Sequence, residues 1–137
     1  MSRLAFAMLA VAMLHPGFAV AADVAAIAKP GGEYRMQGRG FGANASPYEG
    51  TCSLSGQGPT YRVSCYNRDT RHTYSGYGLM NGDTLAITIG DDLRGDHGNL
   101  FVGEYLVLYA RQPDGAFAGT WIDSRGASGS ESLTPLE

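Results

Sequence analysis

The 137-residue sequence contains one tryptophan, two cysteines and three histidines, and no apolar run of membrane-spanning length. Lys29 is the lone lysine, and the 10 basic residues form no cluster among 13 acidic ones, for a formal charge of −3. Nucleic-acid binders displace counterions with clustered positive charge, so that class is excluded. Two cysteines cannot make a structural zinc site by themselves, and the long spacing from Cys52 to Cys65 is not a redox motif. His72 and His97 are expected in polar loops, and no Gly-x-Ser-x-Gly elbow is present. With no nucleophile, base and orienting group set together, no enzyme, cofactor or metal is expected.

What the sequence does have begins with Arg3 followed by an apolar stretch from Leu4 to Leu14, then Pro16-Gly17 and small residues at Ala19 and Ala21. This is the pattern of a secretory signal peptide. The apolar stretch is too short for a bilayer at about 1.5 Å per residue. The expected organisation is a signal peptide over 1–21, a short lead over 22–32 and a single domain over 33–137, periplasmic or secreted, with no membrane span.

Past Lys29-Pro30-Gly31-Gly32 no helical periodicity occurs. Aromatic and β-branched segments alternate with turn residues, which predicts strands over 33–40, 48–55, 61–68, 73–80, 84–90, 100–110, 116–123 and 128–135. Asn81-Gly82 predicts a two-residue type I′ hairpin, setting Gly78 opposite Leu85, Gly76 opposite Ile87 and Tyr74 opposite Ile89. Gln112-Pro113-Asp114-Gly115 predicts a turn with a left-handed glycine, setting Tyr109 by Gly119 and Val107 by Trp121. Tyr48-x-Gly50, Tyr74-x-Gly76 and Phe117-x-Gly119 then share the face of their partners' large apolar residues. Small inward residues alternating with large ones suit a narrow closed barrel. The expected fold is all-β: a small antiparallel up-and-down meander barrel of about eight strands, with a two-sheet sandwich as the alternative.

The register that pairs Leu54 with Val63 also sets Cys52 opposite Cys65, so a structural cross-strand disulfide is expected in an oxidising compartment. Glu131 shares the inward face with Leu133 and needs a partner such as Arg or Tyr. Tyr34, Tyr48, Tyr61, Tyr74, Tyr105, Tyr109, Phe117 and Trp121 also project inward, with Trp121 expected to be buried beside Val107. With Glu131 they either fill the barrel as core or line a pocket for a small apolar or aromatic ligand. The polar stretch 90–99 is expected to be a loop, with Asp91, Asp92, Arg94, Asp96 and His97 available to a partner. The sixth strand is apolar on both faces. Leu100, Val102, Leu106 and Leu108 point outward, a candidate homodimer surface unless the lead around Val24 and Ile27 covers them.

Tyr48-x-Gly50, Tyr61-Arg62-Val63, Tyr74-x-Gly76-x-Gly78, Gly82-Asp83-x-Leu85-Ala86-Ile87, Val107-x-Tyr109, Asp114-Gly115-x-Phe117-x-Gly119-x-Trp121 and Gly129-x-Glu131-x-Leu133-x-Pro135 follow one another in order. This pattern resembles a group of small exported bacterial β-proteins commonly labelled fibronectin-binding proteins. Cys65 stands where an aromatic is usual in that group, which implies a disulfide-bearing branch. By analogy of fold alone, the strand order is similar to avidin and lipocalin barrels. The resemblance implies an exported, non-enzymatic protein that binds extracellular matrix or another macromolecule. The residues leave two alternatives: a small-ligand carrier using the aromatic interior, or an inhibitor of an exported hydrolase inserting the 90–99 segment.

Overall fold

The computed structural model describes residues 31–43, 45–95 and 98–137, with the side chains of 91–95 and 98–101 outside that description. The expected signal peptide and most of the lead lie outside the described residues. Alternation of inward apolar and outward polar side chains produces eight strands: β1 (Gly32–Gly40), β2 (Pro47–Ser55), β3 (Thr60–Asn67), β4 (His72–Asn81), β5 (Thr84–Gly95), β6 (Gly98–Arg111), β7 (Phe117–Asp123) and β8 (Ser128–Pro135). Each pairs antiparallel with the next, and β8 returns to β1, closing an up-and-down barrel. No helix among the described residues is long and apolar enough to cross a membrane.

Closing so narrow a sheet requires strong coiling, and glycine supplies it where neighbouring backbones approach. A side chain at Gly50, Gly76, Gly90 or Gly119 would place its Cβ within 2.0 Å of a carbonyl oxygen on the adjacent strand. Three of these belong to the Tyr-x-Gly and Phe-x-Gly steps read from the sequence, so each aromatic is followed by a point of tight strand contact.

The Gln112–Gly115 turn and the β6–β7 register are as expected: Gly115 has φ +83, and Tyr109 pairs with Gly119 and Val107 with Trp121. The β4–β5 hairpin corrects the expected one. Asn81 stays in the strand and pairs with Thr84, leaving Gly82-Asp83 as the two-residue loop. Gly82 takes φ +59 and Asp83 does not enter the left-handed region, the pattern of a type II′ turn. Only one position then needs positive φ, and a further ladder pair forms. Gly78 therefore faces Ile87 and Gly76 faces Ile89. The shift is two residues, so every side chain keeps its expected face.

The segment 90–99 is a second correction. Its backbone continues β5 to Gly95 and begins β6 at Gly98, with Asp91 opposite Val102, Asp92 opposite Phe101 and Arg94 opposite Asn99. Acidic and glycine residues disfavour strands locally, but pairing with the β-prone Leu100-Phe101-Val102 run outweighs this. The register slips between Ile89 and Gly90. Beyond it, residues 91–95 and their β6 partners form a two-stranded ribbon extending past β4 and β7. Asp96 and His97 lie outside the described residues, and the side chains of Asp91, Asp92 and Arg94 are likewise not described.

One end of the barrel is filled. Leu54, Val63, Leu85, Phe117 and Leu133 are buried there with Tyr34, Tyr61 and Tyr109. Phe117 is the hub, meeting Tyr34 and Tyr109 edge-on at centroid separations of 6.0 and 6.4 Å. Arg111 closes this end with its guanidinium 5.4 Å from the Phe117 ring centre and an ion pair to Asp83 at 4.0 Å. Cys52 and Cys65 are opposite one another as expected, disulfide-bonded with Cα atoms 4.0 Å apart and almost no exposed surface. Such a bond fits an extracellular or periplasmic location.

Candidate functional site

Among the described residues the other end is open. Beside the β1–β2 and β3–β4 connections lies a cavity of about 320 Å³, at the lower end of the range for small-molecule sites. Its walls are Tyr48, Tyr74, Tyr105 and Trp121, its floor Met36, Cys65, Val107 and Glu131, and its rim Gly40, Ala45, Ser46, Asn67 and Thr70. The expected inward aromatics thus divide by height. Tyr34, Tyr61, Tyr109 and Phe117 are core, while Tyr48, Tyr74, Tyr105 and Trp121 are only partly buried and face the cavity.

Three of the walls touch edge to face. Tyr74 and Tyr105 are 6.0 Å apart at 82°, and Tyr105 and Trp121 are 6.1 Å apart at 74°. His72 adds a further edge against Tyr74 at 4.5 Å. These are the favoured arrangements for ring quadrupoles, so the wall is held without filling the space it encloses.

Glu131 sits at the floor, opposite Gly38 on β1 and Gly119 on β7. Two side-chain-free positions beside it leave room for the carboxyl group and its partners. The Tyr48 hydroxyl donates to Glu131 Oε2 at 2.6 Å, and the Tyr109 hydroxyl donates to Oε1. The expected need for a partner is met by two tyrosines from different strands. Burial pushes the Glu131 carboxyl above its ordinary range, against the opposing pull of hydrogen bonds from Tyr109 and Tyr48. Burial, the Glu131 charge and the bond to it raise both tyrosine hydroxyls far above their usual range.

Two glycines seat the walls. Tyr48 reaches Glu131 by lying across β1 at Gly38, where a Cβ would stand 2.2 Å from the phenol. Trp121 lies across Gly129 of β8, where a Cβ would meet the indole at 2.5 Å. Trp121 is therefore inward but not buried as expected: its ring spans the strand at the mouth instead of entering the packed layer. Its Nε1 is covered and makes no well-formed hydrogen bond, although it lies near enough to the Tyr48 oxygen to draw that pKa down slightly. Neither the seats nor the rim is marked by a local sequence signal. The β1–β8 closure that brings Gly38 beside Glu131 was the missing register.

Asp123 tightens the adjoining β7–β8 turn. Its carboxylate accepts from the backbone N–H groups of Arg125 and Ala127 and pairs with the Arg125 guanidinium at 3.0 Å. Although desolvation opposes its charge, these hydrogen bonds hold its carboxyl below the ordinary range. This turn fixes Trp121 two residues upstream.

No protein-family model matches the chain, and no curated protein matches it.

The pH response of Glu131 follows from its raised value. The folded protein keeps this proton where the unfolded chain releases it, so the group's contribution is fully present below the ordinary carboxylate range and is lost as pH rises through the folded value. Glu131→Gln removes that limb. Urea midpoints measured from about pH 4 to about pH 8 are expected to fall less with rising pH in the variant than in the parent. An unchanged difference across the range would contradict the assignment. Trp121→Ala, at a part-exposed wall, is expected to cost less than the about 3–5 kcal/mol typical of a buried aromatic ring. Chemical denaturation of the variant checks this.

Proposed function

We propose that this protein is an exported, non-enzymatic binding protein that holds a small ligand in the open end of its barrel. The observation carrying this reading is the cavity itself: aromatic walls that touch one another but leave about 320 Å³ unfilled above one carboxyl group held by two tyrosines. Apolar and aromatic surface supplies most of the binding free energy in such sites, and a few fixed polar groups supply orientation. Export accords with the disulfide and with the signal-peptide pattern at the N-terminus. Native mass spectrometry of protein recovered from its producing cells tests the reading. A non-covalent mass increment lost on Tyr105→Ala supports it. Parent protein that carries nothing, and takes up nothing from the producing cells' extract, opposes it.

A second reading, contact with another protein, rests on the outer wall. Leu106 and Ile122 lie opposite one another across β6 and β7, with Leu108 next along β6 and Leu79 on β4. All four are about half exposed, and Val102 is exposed beyond them. Leu100 is among the residues whose side chains are not described. Such a patch suits a second copy of the chain or a matrix protein of the kind the family resemblance implies. Sedimentation at micromolar concentration, and binding to immobilised fibronectin, separate the two. Loss of either interaction on Leu106→Arg with the fold retained supports this reading.

A further inference from the structure

We propose that the ligand is a small organic cation: an ammonium group at Glu131, carried on an aromatic or apolar body that lies among Tyr48, Tyr74, Tyr105 and Trp121. The inference rests on the cavity being the binding site and adds the chemical class of its occupant.

Charge is the first reason. Among the described residues that line the cavity, Glu131 is the single acidic one and none is Lys, Arg or His. The two groups hydrogen-bonded to it are tyrosine hydroxyls, which give hydrogen bonds but no positive charge. When ionised, a carboxyl group covered in this way has its lone pairs partly satisfied and its charge uncompensated. A buried charge without a counter-ion is costly, and an entering cation relieves that cost. An anion would meet repulsion from the same group.

Geometry is the second. Each carboxylate oxygen accepts one tyrosine hydrogen bond and retains capacity for another, so an ammonium can donate to Glu131 without displacing Tyr48 or Tyr109. The walls present tyrosine and indole rings around the approach to that point, and ring faces attract ammonium groups electrostatically, more strongly when water is excluded. A neutral apolar ligand would use the walls and leave the carboxyl group unanswered. The cavity volume admits a body of one or two fused rings.

The test uses three probes of one shape: 2-naphthylmethylammonium, 2-naphthylmethanol and 2-naphthoate. Binding to the full mature chain is measured by calorimetry and by the resonance of its one indole N–H. The ammonium probe is expected to bind about tenfold or more tighter than the alcohol, a single charge-assisted contact, and the carboxylate more weakly than either. Glu131→Gln is expected to abolish the preference, bringing the ammonium probe's affinity down to that of the alcohol. Tyr105→Leu, which removes a ring face without touching the carboxyl group, is expected to weaken the ammonium probe more than the alcohol and serves if the Gln variant does not fold. Equal affinity for ammonium and alcohol, or a preference that survives Glu131→Gln, overturns the cation assignment and leaves the cavity reading standing. No binding by any of the three overturns both.

Discussion

Phe117→Ala is expected to lower the unfolding free energy by about 3–5 kcal/mol, the largest effect of any single side-chain truncation in this barrel. Phe117 is 1% exposed, packed between Tyr34 and Tyr109, and covered on the outside by Arg111. Its neighbours sit on β1 and β6, whose registers are fixed, and cannot collapse into the space without breaking ladder pairs. The removed ring therefore leaves a cavity, and both the lost transfer free energy and the void count against the variant. Urea denaturation of parent and variant measures the difference. Ile122→Ser on the outer wall, at 49% exposure, is expected to stay within about 0.5 kcal/mol and shows that the effect belongs to the core. A Phe117→Ala variant as stable as the parent would mean that this end of the barrel is not packed as described.

Replacing both cysteines, Cys52→Ala with Cys65→Ala, is expected to cost about 3 kcal/mol by releasing a short closed loop in the unfolded chain. The barrel itself should persist, because the β2–β3 register is set by Leu54 opposite Val63 and by the β3–β4 pairs as well as by the bridge. Far-ultraviolet circular dichroism unchanged at low temperature, with a lower urea midpoint, is the expected pair of results. Parent protein under reducing conditions should move toward the same midpoint. A double variant with an unaltered midpoint would contradict the stabilising role of the bridge.

The fold was legible because its signals are local. Period-two alternation and glycine-containing turns marked eight strands, and the Cys52–Cys65 and Val107–Trp121 oppositions followed from single hairpins. The Gly82-Asp83 turn was not legible to the same degree, since Asn81-Gly82 satisfies one turn type and Gly82 alone satisfies another. The ribbon beyond Gly90 was hidden by its composition: Asp, Arg and Gly read as loop until the facing strand is counted. The candidate site depended on something less local still. Every inward aromatic obeys the same alternation, whether it ends as Phe117 in the packed layer or as Tyr105 on the cavity wall. Which half stays open depends on the volume all eight strands enclose at each height, and on the closure that sets Gly38 between Tyr48 and Glu131. No single hairpin contains that information.

The most direct test of the binding site uses the single tryptophan, whose indole N–H gives one resonance at the cavity mouth. A set of small aromatic and apolar fragments is titrated into isotope-labelled protein and followed by heteronuclear correlation spectra. Fragments that bind are expected to shift the Trp121 indole N–H together with the amides of Tyr48, Tyr74 and Tyr105. Binders that leave that resonance unmoved while shifting Thr88, Leu106 and Ile122 on the outer wall would contradict a ligand site inside the barrel.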